Sequence, residues 1–338
     1  MQGLHRNPDQ AGLKLKANWA VEEIVVSGHC RTMIEAPLQS IDSYIAYFSQ
    51  TELPVLRKTV RALSELAANE DSVSGRQVAA VVLQDPLMTL RVLVHIEATR
   101  RSAQNHDITT IERAIMMLGI TPFFRKFSNL PCVEDKLQAH PQALLGVIKV
   151  INRARNASHW ARDWAIIRHD LDVDEVTVGA LLHDAAEVLC WSFAPALMLR
   201  IKAEQKRTPG LRSAKAQQAV LGVTMHDLQL ALVKAWRLPE LLITLMDDDH
   251  ANNPRVRNVV LANNLARHSA NGWNDPALPD DFTAIGDLIH MGHEQLLHRL
   301  DVPKDALTVR PVTSPPAPQQ QAAASPAPDF IPLPDPRT

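Results

Sequence analysis

Residues 53–70 read LPVLRKTVRALSELAANE, and in them Leu56, Val60, Leu63 and Ala67 fall at i, i+4, i+7 and i+11. That spacing lays a single apolar stripe along a helix. The next stretch, GRQVAAVVLQDP (75–86), ends where Asp85 can cap a new helix whose first turn holds Pro86. Leu87, Leu90 and Val94 of that helix then face inward. Further on, Thr109-x-x-Glu112 reads as a capping box ahead of IERAIMMLG, with Gly119 as a left-handed stop. Asp172-x-x-Glu175 opens a helix that runs through Leu181, Leu182, His183 and Asp184. Trp236, Leu238 and Pro239 mark a break between two more helices. Only Glu22–Val26 hints at a strand. The reading is all-α.

Composition agrees with it. Gly numbers 12 of 338 residues, and Phe and Tyr only 7 and 2, too few for the turns and aromatic strands of a β-sandwich or barrel. With 46% hydrophobic and 21% charged residues, the chain is long enough for two domains or one large domain with appendages. Lys+Arg 35 against Asp+Glu 37 gives a formal charge of −2, so the bulk positive footprint of a nucleic-acid binder is missing and nucleic acid is not an expected partner. Cys30, Cys132 and Cys190 form no CxxC pair, which argues against a zinc knuckle or disulfide framework and for a reducing compartment. The N-terminus, MQGLHRNPDQAGLKLK, lacks the apolar core of a signal peptide. No apolar run reaches the length of a membrane span, the longest candidates being Ala79–Leu83 and Val176–Leu182. A cytoplasmic location without membrane insertion is expected. From Pro311 to Thr338 there are nine prolines in 28 residues; such a segment cannot bury enough surface to offset its ordering entropy, and a disordered tail is expected.

Several stretches together resemble a known family. LPVLRKTVRALSELAAN, VLQDPLMTLRVLVHI and ITTIERAIMMLGITPFFRKF, followed by GALLHDAAEVL and LGVTMHDLQLALVKAWRLPELLITLMDDDH, are similar in order and spacing to HDOD (HD-related output) domains over about residues 50 to 270. The resemblance implies an N-terminal helical bundle packed on an HD-like helical bundle. It divides the chain into an N-terminal extension (1–45), the domain (46–270, with halves 46–135 and 140–270), a C-terminal helical segment (271–308) and the disordered tail (309–338).

In HD-superfamily phosphohydrolases, histidines and aspartates converge on divalent metal ions that polarise a phosphoryl oxygen and activate water. Carried over by position, the resemblance implies a vestigial site of His159, His183, Asp184, His226 and His250. Two positions depart from the enzyme pattern. Asn263 or Asn264 stands where an aspartate closes the metal set, and Glu187 stands where active phosphodiesterases carry a phosphate-neutralising lysine. A Gly-Tyr-Pro loop is also missing. Three readings stay open: a structural vestige, an iron- or manganese-type ion bound without turnover, and an active phosphohydrolase on a nucleotide or cyclic dinucleotide, in which Asp184 would be catalytic. The family's members are mainly non-catalytic. The expectation is therefore a bacterial signal-transduction protein without a cofactor, whose partners are other signalling proteins, with a small-molecule ligand in the cleft between the halves as a further option.

If they are not catalytic, His183 and Asp184 follow the apolar Ala180–Leu182 and should be buried in a hydrogen-bonded cluster with His159, His226 and His250. Other features carry weaker signals. IHMGHEQLLHRL would put His290, Glu294 and His298 on one helix face beside His293, a metal-ligand row that amphipathicity also explains. Lys149, Arg153, Arg155, Arg162 and Arg168, interleaved with Trp160 and Trp164, read as a solvated basic face with the tryptophans inward. Asp247, Asp248 and Asp249 read as a charged helix end sooner than a cation site. No Walker A, GxGxxG or GxSxG motif is present.

Overall fold

Asp85 organises the N-terminal half. Its Oδ1 accepts from the N–H groups of Leu87 (3.0 Å) and Met88 (3.3 Å), capping the helix that begins at Pro86. Its Oδ2 accepts from the N–H of Leu56 (2.8 Å) and the hydroxyl of Thr59 (2.9 Å). One buried carboxylate thus serves unpaired donors at two helix starts. Burial pushes its pKa up, and the four donors oppose that shift.

The computed structural model describes residues 33–99 and 108–303; Cys30, the Glu22–Val26 segment and the proline-rich tail lie outside them. The first half is built from α1 (Ile41–Ser49), α2 (Arg57–Ala67), α3 (Gly75–Val82), α4 (Pro86–Thr99), α5 (Ile111–Leu118), α6 (Ile120–Lys126) and α7 (Val133–Lys136). The second comprises α8 (Pro141–Ile167), α9 (Val173–Leu182), α10 (Ala185–Phe193), α11 (Pro195–Arg207), α12 (Ser213–Leu221), α13 (Met225–Ala235), α14 (Glu240–Leu245) and α15 (Pro254–His268). Two more, α16 (Leu278–Ile289) and α17 (His293–Arg299), follow. Among the described residues the only β pairings are the isolated bridges Val55–Cys132 and Ala270–Gly272. The all-α expectation holds.

The long helix α8 is the axis, with α9, α10 and α15 packed along it. Its buried positions include Ala143, Ala154, Ala157, Ala161 and Ala165, small side chains that let neighbouring backbones approach. Gly146 is the extreme case: a Cβ there would stand 2.6 Å from the Trp191 ring of α10. The halves share one core. Helix α4 packs on α9 and α10, the Ile34 N–H bonds to the Phe193 carbonyl (2.7 Å), and the Tyr44 hydroxyl donates to the Leu221 carbonyl (3.0 Å). Helix α1 therefore runs across the expected 45/46 boundary and docks on α13.

The structure departs from the sequence reading at several elements outside the His-Asp pair. The cap of α5 is Thr110, not Thr109; Thr109 is buried and donates to Glu175 Oε1 (2.6 Å). Glu175 also takes Arg255 (3.0 Å), so it ties helices together, and Asp172 makes no side-chain cap hydrogen bond at the start of α9. The metal-ligand row fails because α16 ends at Ile289, with His290 at φ 53° turning the chain before α17 begins at His293. Finally, Val173–Phe193 is long and apolar enough to cross a bilayer, at a mean hydropathy of 1.2, contrary to the expectation that no such run exists. Since 83% of that window is buried inside the protein, the core accounts for its apolarity.

Candidate functional site

The helix expected to run through His183 and Asp184 is broken there. Helix α9 stops at Leu182 and α10 starts at Ala185, with the His-Asp pair forming the junction. In an unbroken helix the Ala186 N–H would bond to the Leu182 carbonyl. Instead the buried side-chain amide of Gln229, from α13, is inserted between them. Its Oε1 accepts from the Ala186 N–H (2.7 Å), and its Nε2 donates to the Leu182 carbonyl (2.8 Å). A side-chain amide offers an acceptor oxygen and a donor NH2, so the break leaves neither backbone group unsatisfied.

The break aims both side chains into a charged cluster. Asp184 Oδ2 accepts from Arg153 through Nη2 (2.6 Å) and Nε (3.1 Å). Arg153 Nη2 also donates to Glu187 Oε2 (2.6 Å), while Glu187 Oε1 accepts from Trp191 Nε1 (3.4 Å). The His183 ring lies between two carboxylates, with Nδ1 at 3.1 Å from Asp184 Oδ1 and Nε2 at 2.9 Å from Asp248 Oδ1. Burial opposes the charge on His183, but its hydrogen bonds to Asp184 and Asp248 prevail and raise its pKa to about 9. Burial likewise opposes ionisation of Asp184, yet the Arg153 charge and the His183 hydrogen bond hold it well below the usual carboxylate range. Arg153, despite its own burial, is held more firmly protonated by Asp184 and Glu187.

The expected cluster of His and Asp therefore exists with different partners. His226 and His250 approach Asp247, at 3.9 and 3.2 Å, and not Asp184. His159 is exposed. Asn263 is buried and donates to the Val259 carbonyl of its own helix (2.9 Å), and Asn264 accepts from Arg267. Asp247 accepts from the Asp249 N–H at a helix end. The other arginines of α8 and its C-cap are engaged within the protein: Arg155 with Gln84, Arg162 with Asp174, and Arg168, the C-cap, with Asp170; Trp164 is buried.

These residues do not fit the dication that the HD resemblance implies. The guanidinium of Arg153 and the imidazole of His183 already engage Asp184, Glu187 and Asp248. Among the described residues no three His, Cys, Asp or Glu are grouped to hold an ion.

Arg153 and Gln229 carry the site, and neither was singled out from the sequence for this role. A signal for Arg153 was available. It falls on the stripe of α8 shared by Gly146, Val150 and Ala157, so it is the charged residue on an inward face, whereas His159, six residues on, points about 120° away.

An all-helical fold of two joined halves with a His-Asp pair at a helix junction is the arrangement that the sequence resemblance implied. The chain belongs to the HDOD family: the HDOD domain model matches residues 53–252. Its fold is similar to that of the response regulator MmoQ from Methylococcus capsulatus, with a TM-score of 0.55, 16% identity, and coverage of 74% of this chain and 98% of that one. A virulence factor from Campylobacter jejuni is similar too, with a TM-score of 0.58, 19% identity, and coverage of 80% and 98%. No curated protein is a detectable sequence relative of this chain.

Proposed function

We propose that the protein is a non-catalytic regulatory module of bacterial signal transduction, acting in the cytoplasm through contacts with other signalling proteins. The observation that carries this reading is the placement of Arg153. Its guanidinium sits against Asp184 and Glu187 with both at 2.6 Å, where an HD hydrolase needs carboxylates free to ligate a metal. Asn263 and Asn264, bonded within their own helix, supply no replacement charge. The pair has a structural role in this chain, since His183 and Asp184 tie the α9–α10 junction to α8 and to the Asp248 turn. MmoQ, which shares the fold, is a response regulator, and membership of the HDOD family points the same way.

The test is metal analysis of the untagged full chain combined with turnover assays on a panel of phosphoesters that includes cyclic dinucleotides. Metal far below one ion per chain, and turnover no different from that of the His183→Ala and Asp184→Ala variants, are expected. Stoichiometric iron or manganese, with turnover that these substitutions abolish, would overturn the reading.

A further inference from the structure

The cations of the protein are unevenly placed. Many are matched by carboxylates: Arg57 by Asp135, Arg91 by Glu52, Arg162 by Asp174 and Arg255 by Glu175. The hairpin of α11 and α12 is different. Between Glu187 and Asp227 the sequence holds six Lys and Arg and a single carboxylate, Glu204, in a chain whose formal charge is −2. Arg200, Lys202, Lys206, Arg207, Arg212 and Lys215 are all exposed. Arg207 pairs with Glu204. Among the described residues the other five form no ion pair with a carboxylate. A surface with such an excess of one sign concentrates the other.

Helix phase arranges these charges. Leu197, Met198 and Ile201 of α11 are buried in the core. At about 100° per residue, Ala196, Leu199 and Ala203 form the line on the opposite side. Arg200 and Arg207 flank that line on one edge, and Lys202 and Lys206 flank it on the other. Its middle is short and its edges are long and charged. A flat surface can therefore lie along the helix while the cations reach it on their methylene stems. Helix α12 packs on α11, and Gln205 Nε2 donates to Ser213 Oγ (3.0 Å) to hold the two ends together. It adds Arg212, its N-cap residue, and Lys215.

We infer that α11 and α12 form a docking face for an anionic phospholipid bilayer, held by charge at the headgroups without insertion. Neither helix contains Phe, Trp or Tyr, and none of the large apolar side chains left exposed among the described residues lies on them. A protein interface is anchored by aromatic and apolar groups and is depleted in lysine. Single-stranded nucleic acid stacks its bases on aromatic rings. An anionic leaflet requires neither, because each Lys or Arg near it strengthens attachment by about fivefold. The same lack of apolar anchors keeps the chain out of the acyl layer.

Sedimentation of the full chain with vesicles tests the face. Binding is expected to equimolar phosphatidylcholine and phosphatidylglycerol, and not to phosphatidylcholine alone. Raising the salt from about 0.1 M to about 1 M shrinks the Debye length to about 3 Å and should release the chain. In the Arg200→Gln/Lys206→Gln/Arg212→Gln/Lys215→Gln variant, affinity for the mixed vesicles should fall by about 100-fold or more. The Arg61→Gln/Arg113→Gln/Arg125→Gln/Lys126→Gln variant removes the same charge from exposed positions of the N-terminal half and should bind within about threefold of wild type. All eight substituted residues are exposed, and melting curves check that both variants fold. No binding to the mixed vesicles, equal binding to both lipid compositions, or a loss no greater than in the control variant would overturn the inference. Displacement from the vesicles by duplex DNA at equal phosphate concentration would also overturn it and assign the face to nucleic acid. None of these failures touches the regulatory reading, which rests on Arg153.

Discussion

Replacing Asp184 by alanine removes the acceptor of two hydrogen bonds from Arg153, at 2.6 and 3.1 Å, and the partner of His183 at 3.1 Å. The Asp184 and Arg153 side chains are 19% and 14% exposed, so water replaces little of what is lost. Removing one member of a buried ion pair costs about 3–5 kcal/mol when the other charge is left alone. Here Arg153 keeps Glu187 and His183 keeps Asp248, which leaves a loss of about 2–3 kcal/mol. For a folded unit of this size that corresponds to a fall in Tm of roughly 5–10 °C. Urea unfolding followed by circular dichroism measures it, with the denaturant slope expected to stay constant. A double-mutant cycle with Arg153→Met isolates the pair: the double variant should be more stable than the sum of the single losses by about 1–3 kcal/mol. Additive single effects, or a loss below about 1 kcal/mol, would refute the buried coupling. So would a chelator that lowers the wild-type midpoint as far as the substitution does.

Three more outcomes follow from the geometry. Gln229→Leu strips both partners from the gap between Leu182 and Ala186, and a loss of about 2–4 kcal/mol in urea unfolding is expected from two unsatisfied buried backbone groups; a neutral result would mean that the junction closes into an ordinary helix. His183 has a folded-state pKa of about 9, raised above its ordinary value, so its contribution is complete below about pH 6.5 and is lost as pH rises through 9. The free energy of unfolding measured in urea should therefore fall between pH 7 and 9.5, by up to about 1.4 kcal/mol per pH unit, and His183→Gln should flatten that decline. Asp85→Asn keeps the shape but turns an NH2 group toward donors on one side of the carboxyl; a loss of about 2–4 kcal/mol is expected in thermal unfolding, and a change within about 0.5 kcal/mol would contradict the role given to Asp85.

What could be read from the sequence was what acts locally. Asp85 followed by Pro86, the positive φ of Gly119 and the break at Trp236–Pro239 all rest on residues adjacent to the turn they make. The apolar stripe of α2 likewise needs only its own spacing. The reading failed where the deciding group comes from elsewhere. Nothing within GALLHDAAEVL announces a break, because the amide that permits it belongs to Gln229, 47 residues beyond Leu182. His159 was assigned by position, yet helix phase turns it outward and brings Arg153 in. Thr109 and Thr110 are both able to cap α5, and the demand of Glu175 for a donor decides between them.

The amide of Gln229 has a further consequence for how this fold opens. A hydrogen bond within a helix is released by fraying of that helix alone, whereas the Ala186 N–H is protected by a side chain of α13. Its exchange with solvent deuterium therefore reports separation of α10 from α13, not local unwinding. The amides around it, bonded within α10, keep their protection until that helix itself melts. Read residue by residue, Ala186 becomes a gauge of the contact between two helices, exchanging early in any motion that parts them.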